Sequence, residues 1–398
     1  MSEHAVAGRY VGEFDETRVE TWAKGLRLSL ASEPVSFGII YMTPTFFEVA
    51  SQVLDIVRIH ARTPVLVGCS TACLVSNGEE AEGEEGISLV LFAIPEVEVK
   101  GCHFNQEQVE EGDDVSVWHE TTDVTETVNK GWFAFLDPFQ IDCERWLRQW
   151  DRAYPRKAIV GGLASGDPSQ QRTQVYLDGE VFEEGGVALS IGGGARVESV
   201  TAQGCTPIGG PWTITKVDEN VILEIASRPA YDVLAEMISE LSAEDQLKLQ
   251  GNLFVGLAID EYAEEFARGD FLVRNVIGAD PDNGAIAVGA LPRVGQTLQF
   301  QRRDKQAASE DLDELLKDAW LRLGSKTLFG GSLHCCNGRG SNLFGAPHHD
   351  ASLVQKHFAD LPVAGFFCNG EFGPVGGVNF IHGYTASLGL LVSDRVEI

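Results

Sequence analysis

The sequence predicts an α/β protein in which repeated βαβ-plus-hairpin units form mixed, stacked β-sheets flanked by helices. Three observations predict it. One pattern recurs three times: an apolar strand, an amphipathic helix, a second apolar strand with a glycine, a small polar loop and a further apolar strand. The two apolar strands of each unit lie roughly 30 positions apart, the size of a βαβ crossover. The strands are continuously apolar rather than alternating, which implies burial on both faces under covering helices.

The first unit runs from Ser36–Met42 through a helix after Pro44 to Pro64–Ser70 and Gly86–Phe92. Pro44 suits a first helical turn, and Phe47, Ala50, Val53, Leu54, Val57 and Ile59 follow at near-helical spacing. The second unit runs from Gly131–Asp137 through a helix ending about Tyr154, with Trp146, Leu147 and Trp150 on its apolar stripe. It continues to Lys157–Gly162 and Gly186–Ile191. The third unit runs from Gly331–Cys336 through a helix from about Asp350 to Pro362–Phe367 and Ala386–Val392. Between the second and third units, Ala230–Leu241 and Asp311–Leu323 read as helices. The stretch between them reads as strands, with Asp280–Gly284 a turn. A module boundary is expected at Arg228–Pro229, dividing the chain into 1–228 and 229–398. Hairpins are too numerous for a purely parallel sheet.

The 398 residues hold 44% hydrophobic side chains, enough for a large core, and 59 acidic against 30 basic residues give a formal charge of -29. Such a field repels phosphate backbones and anionic lipid, so neither nucleic acid nor a membrane is an expected partner. Much of the excess is local, at Glu79–Glu85 and Glu107–Asp114, and both stretches read as solvated loops. Neither has the ligand order of a calcium loop. No basic-then-apolar leader opens the chain, and the longest apolar run, Ile87–Pro95, is about half a bilayer span, so the cytoplasm is the expected compartment. Eight cysteines without a framework spacing read as reduced, buried thiols.

Several strings carry a family resemblance. They begin with Pro64-Val-Leu-Val-Gly-Cys-Ser-Thr-Ala72, Arg228-Pro-Ala-Tyr-Asp-Val-Leu234 and Asp270-Phe-Leu-Val-Arg-Asn-Val-Ile277. Phe300-Gln-Arg-Arg-Asp304 leads to Ala308–Leu312, and Cys336-Asn-Gly-Arg-Gly340 comes with Leu343-Phe-Gly345. Gly365–Pro374 completes the set. In this order they resemble a FIST N-type module (1–228) followed by a FIST C-type module (229–398), from about Glu33 to the C-terminus. The resemblance implies a sensory module binding small molecules such as amino acids. Because the family pattern takes up the residues, a signal is expected to leave through a separate signalling protein.

Four loops with glycine and small polar residues follow strand ends: Gly68–Ala72, Gly161–Ser165, Cys336–Gly340 and Cys368–Glu371. Such loops make pockets in open α/β sheets, because backbone groups there are free and side chains short. Pseudo-symmetry is expected to gather three of them at one edge of the core. Arg339 and Glu371 are the preferred ligand pair, a guanidinium for a carboxylate and a carboxylate for an ammonium, as an amino acid zwitterion requires. The alternative is that they bridge each other. Asn337, Asn369, Ser70 and Ser165 would supply neutral hydrogen bonds, and Cys69 sits at a strand end beside them.

Two rival readings stand beside the sensor. A cysteine-dependent enzyme acting on a small amide or amino acid derivative would use Cys69 or Cys368, but no nucleophile elbow or local protease signature accompanies them, and no catalytic residue is assigned. An interaction scaffold would use the acidic loops to recruit a basic partner. His334, Cys335 and Cys336 are consecutive and alternate faces on a strand, so no metal site is expected. There is no phosphate loop and no dinucleotide register, so no cofactor is expected.

Overall fold

The computed structural model describes residues 3–31, 34–167, 169–261, 266 and 269–394; Glu33, where the family resemblance begins, lies outside them. By compactness the chain forms two units, Met1–Thr201 with Glu314–Ile398, and Ala202–Asp313. It is a mixed α/β protein with several mixed sheets flanked by helices.

The larger unit consists of the three repeats the sequence announces. In the first, Phe37–Met42 and Leu66–Ser70 are parallel neighbours joined by the helix Ala50–His60, and Gly86–Phe92 and Ala5–Val11 extend the sheet antiparallel. The second repeats this order with Asn129–Leu136, Ile159–Leu163, Gly186–Gly193 and Val97–Phe104 around the helix Cys143–Ala153. The third uses Leu328–Cys336, Val363–Cys368, Ala386–Ser393 and Ala195–Ala202 around the helix His349–His357.

Each sheet is completed by a hairpin that belongs, in sequence, to a different repeat. The repeat 1 hairpin, Cys73–Ser76 with Glu79–Glu82, pairs with Val363–Cys368 of repeat 3. The repeat 3 hairpin, Glu371–Val375 with Val378–His382, pairs with Ile159–Leu163 of repeat 2. The repeat 2 hairpin, Val175–Leu177 with Glu180–Phe182, pairs with Leu66–Ser70 of repeat 1. The exchange closes on itself, so no repeat has a complete sheet of its own.

One face of each sheet turns inward to a shared core. Tyr41, Phe135 and Phe366, one from each repeat, meet there with ring centroids 4.8–5.8 Å apart. The outer faces carry helices. Glu16–Leu28 and Ala50–His60 cover the first sheet, and Trp146 and Trp150 of Cys143–Ala153 pack on the second. Burial on both faces is what the continuous apolar strands required.

The second unit is antiparallel. Its sheet runs Cys205–Asp218, Thr297–Arg303, Leu253–Ala258, Phe271–Asp280, Ala285–Val288, Val221–Ile225 and Arg228–Pro229. Cys205–Asp218 also pairs with Val221–Ile225, which closes six strands into a barrel. The helix Ala230–Glu240 contributes Val233, Leu234 and Met237 to its core.

Several expectations need correction. Glu79–Glu82 is a strand rather than a solvated loop, and Glu80 is only 2% exposed. The stretch containing Glu107–Glu111 is a short helix, Gln106–Glu111, with Asn105 as its capping residue. Pro44–Val49 is a 3-10 turn before the first-repeat helix, and Ile59 faces solvent on that helix instead of the core. The polar-looking N-terminus contains an edge strand, Ala5–Val11, and the helix expected from Asp311 begins at Lys305. Among the described residues no helix is long and apolar enough to cross a membrane.

Candidate functional site

The site grows from one glycine repeated three times. Gly68, Gly161 and Gly365 sit mid-strand in the second strand of each repeat, paired to Ile40, Ala134 and Leu333. A Cβ on any of them would lie 1.7–1.9 Å from the facing carbonyl oxygen. Only glycine lets these two strands approach so closely. The close pairing aims the three strand ends, and the polar loops after them, at one another.

Those loops are laced together. The Ser70 hydroxyl donates to the Ser165 carbonyl (2.8 Å), and the Ser165 hydroxyl accepts from the Ala72 N–H (2.9 Å) and donates to the Phe367 carbonyl. The Phe367 N–H donates to the Thr71 hydroxyl (3.2 Å), and the Asn369 amide donates to the Ala164 carbonyl (2.9 Å). Asn337 donates to the Asn369 side-chain oxygen (2.9 Å). One loop from each repeat therefore holds the next.

Above this floor lies a cavity of about 530 Å³. Ala72, Cys73 and Glu82 line it from repeat 1, Phe139, Asp167 and Arg172 from repeat 2, and Asn337, Arg339, Asn342 and Asn369 from repeat 3. Of the residues singled out from sequence, Asn337, Asn369 and Arg339 line the cavity. Ser70 and Ser165 are buried in the floor as cross-links. Cys69 points into the shared apolar core.

Arg339 and Glu371 do not bridge each other. Arg339 is fully buried and bidentate to Asp350, Nε to Oδ2 at 2.6 Å and Nη2 to Oδ1 at 2.9 Å, with Nη1 donating to the Tyr384 carbonyl at 3.1 Å. Burial alone would raise the Asp350 carboxyl; the Arg339 charge outweighs it and holds that carboxyl well below the usual range. Glu371 lies behind the loops, accepting from the Cys368 thiol (3.2 Å) and the Thr385 N–H (3.1 Å). Burial pushes its pKa up to about 8, so it is mostly protonated at neutral pH.

The thiols are poor nucleophiles in this fold. All eight cysteines are free and buried. Burial pushes Cys69 and Cys368 well above the ordinary thiol range, and Glu371 raises Cys368 further. His334, adjacent in sequence to Cys335, is buried beside Ser332 (3.0 Å), and desolvation pushes its pKa down to about 3.

One metal-capable group exists among the described residues. Single ligand atoms of Glu80, Cys335 and Asp350 lie within 4.8 Å of one another, all buried. Asp350 is already engaged by Arg339, a fixed cation at the same spot. Sequence spacing gave no signal for this cluster, because its members come from a hairpin, a strand and a helix of two repeats. Glu82 and Asp167 were equally hidden: one sat in an apparent loop charge run, the other four residues past its strand.

An uncharacterized protein of Mycobacterium tuberculosis is 32% identical over 366 residues, covering 92% of this chain and 94% of its own. One of Mycobacterium bovis is 32% identical over 368 residues, covering 92% and 93%. Among solved structures, cyanuric acid hydrolase from A. caulinodans spans 98% of this chain and all of its own, with 10% identity and a TM-score of 0.33, too low to assign a fold or a function. The FIST N domain model matches residues 36–228 and the FIST C domain model residues 230–374. FIST domains are in general sensory, ligand-binding domains of signalling proteins. With both models matched in order along most of its length, the chain belongs to the FIST family.

Proposed function

We propose that this protein is a cytoplasmic small-ligand sensor that binds an amino-acid-like molecule in the cavity above the three loops and signals through a separate partner protein. The convergence of one loop from each repeat around a cavity of about 530 Å³ carries this reading. That volume lies within the ordinary range for small-molecule sites, and side-chain amides and carboxylates supply the few polar groups such a site needs. Eight buried cysteines left as free thiols favour a reducing compartment. The modules 1–228 and 229–398 act together in this reading, since Glu82, Asp167 and Arg172 come from the first and Asn337, Asn342 and Asn369 from the second.

The test is a thermal-shift and calorimetric screen of the folded protein against the amino acids, with Asn342→Ala and Asn337→Ala alongside. Both side chains line the cavity, and Asn342 is exposed and free of the floor network, so its loss leaves the fold intact. Ligand at about a hundred times its Kd adds about 2.7 kcal/mol of stability. A shift seen with the native protein and lost in the variants supports the sensor. No shift with any compound moves the function to the interaction scaffold. Arg339→Ala is a poor probe, because it strands the buried Asp350 charge and costs about 3–5 kcal/mol of stability by itself.

A further inference from the structure

The charges around the cavity revise the ligand class: this step rests on the small-ligand cavity above and replaces its amino-acid-like ligand by a cation without a carboxylate. Two guanidiniums line the wall, and both are already committed. Arg339 is bidentate to Asp350. Arg172 lies between Glu48 (2.8 Å) and Glu183 (2.9 Å from Nε), over the Phe47 ring. The carboxylates of the lining, Glu82 and Asp167, have only neutral partners. Glu82 accepts from the Ser341 N–H (2.8 Å) and hydroxyl (2.5 Å). Asp167 accepts from the Ser169 hydroxyl (2.7 Å) and N–H (2.9 Å) and from the Gln170 amide (3.1 Å). Among the described residues neither is in an ion pair. A ligand therefore faces two guanidiniums already paired to carboxylates outside the lining, and two carboxylates, Glu82 and Asp167, without a cation.

We infer that the cavity binds an alkyl diamine, its two ammonium groups seated against Glu82 and Asp167 and its chain against Phe139 and Phe367. The two carboxylates come from different repeats, one from the Cys73–Glu82 hairpin and one from the loop after Ile159–Leu163, and both line the one cavity. Phe139 and Phe367 supply aromatic surface in the same lining, which favours alkyl stems and cations alike. A carboxylate ligand would have to displace an existing ion pair, at the cost of stranding a buried or crowded acid. The field extends into the wall: Cys73 is pushed up by burial first and then by Glu82 and Glu80. The net charge of -29 draws cations toward such a mouth.

The experiment is isothermal titration of the full chain with 1,4-diaminobutane and 1,5-diaminopentane, beside alanine as a zwitterion and succinate as a dianion. Glu82→Gln and Asp167→Asn keep an acceptor for their serine partners, and Glu107→Gln, exposed and outside the cavity lining, controls for general acidity. The expected result is one diamine per chain, weakened tenfold or more by each cavity variant and unchanged by Glu107→Gln. Alanine or succinate binding more tightly than either diamine overturns the inference and leaves the sensor reading standing. Diamine binding that is equal in all variants overturns it too, because the amine then sits elsewhere on the acidic surface. If none of these probes binds and the amino acid screen is also blank, both readings fall.

Discussion

Glu371 shows how a single side chain couples the loop layer to pH. In the fold its carboxyl is surrounded by the Cys368 thiol and Thr385 N–H with no exposure, and burial lifts its pKa to about 8 from an ordinary 4.5. The unfolded chain releases this proton near 4.5 while the folded chain keeps it. Between those values the folded state binds more protons, so stability falls as pH rises from about 5 to 8. Glu371→Gln, which mimics the protonated form, is expected to remove that decline. Relative to the native protein it should gain on the order of a few kcal/mol by pH 8.5 and little at pH 4.5. Chemical denaturation of both proteins at the two pH values checks it, and parallel curves would show that Glu371 is ionised in the fold. The sequence marked this glutamate, with Arg339, as a ligand pair. What it could not show is that Asp350, eleven positions on and across a helix start, takes the guanidinium first.

At the level of elements, the second strand of each repeat depends on its glycine. A side chain at Gly68, Gly161 or Gly365 would collide with backbone rather than with a movable side chain, so the parallel pair must part. Each Gly→Ala change is expected to cost about 3 kcal/mol or more, at the upper end of overpacking effects. Gly25, in the helix Glu16–Leu28, has nothing within 4 Å of its missing Cβ, and Gly25→Ala should stabilise by about 0.5–1 kcal/mol. Denaturant midpoints of the four variants check the contrast, and a tolerated alanine at any strand site would contradict the close-approach account. These strands were legible because apolar runs carrying a glycine recur at fixed spacing. The edge strand Ala5–Val11 was not: Arg9 and Gly8 interrupt its pattern, and pairing with Gly86–Phe92 alone makes it a strand.

For the three-repeat unit, the cyclic exchange of hairpins makes cooperation compulsory. Leu74 belongs to repeat 1 in sequence but sits in the strand paired to Val363–Cys368 of repeat 3, fully buried in the shared core. Leu74→Ala is expected to destabilise by about 2–5 kcal/mol. It should lower hydrogen-exchange protection in Leu328–Cys336 and Val363–Cys368 as much as in repeat 1. Loss confined to the repeat 1 strands would show that the repeats fold as separate bodies.

The sequence by itself determined the repeated units, the strands buried on both faces, the family and the four small-residue loops. All of these are written in local composition and in periods short enough to read along the chain. Only the tertiary structure decided which hairpin completes which sheet, that Asp350 rather than Glu371 holds Arg339, and that Glu82 and Asp167 face one cavity. The physical reason is common to all three. Edge pairing and charge pairing are settled by distances between residues far apart in the chain, and local pattern carries no record of them.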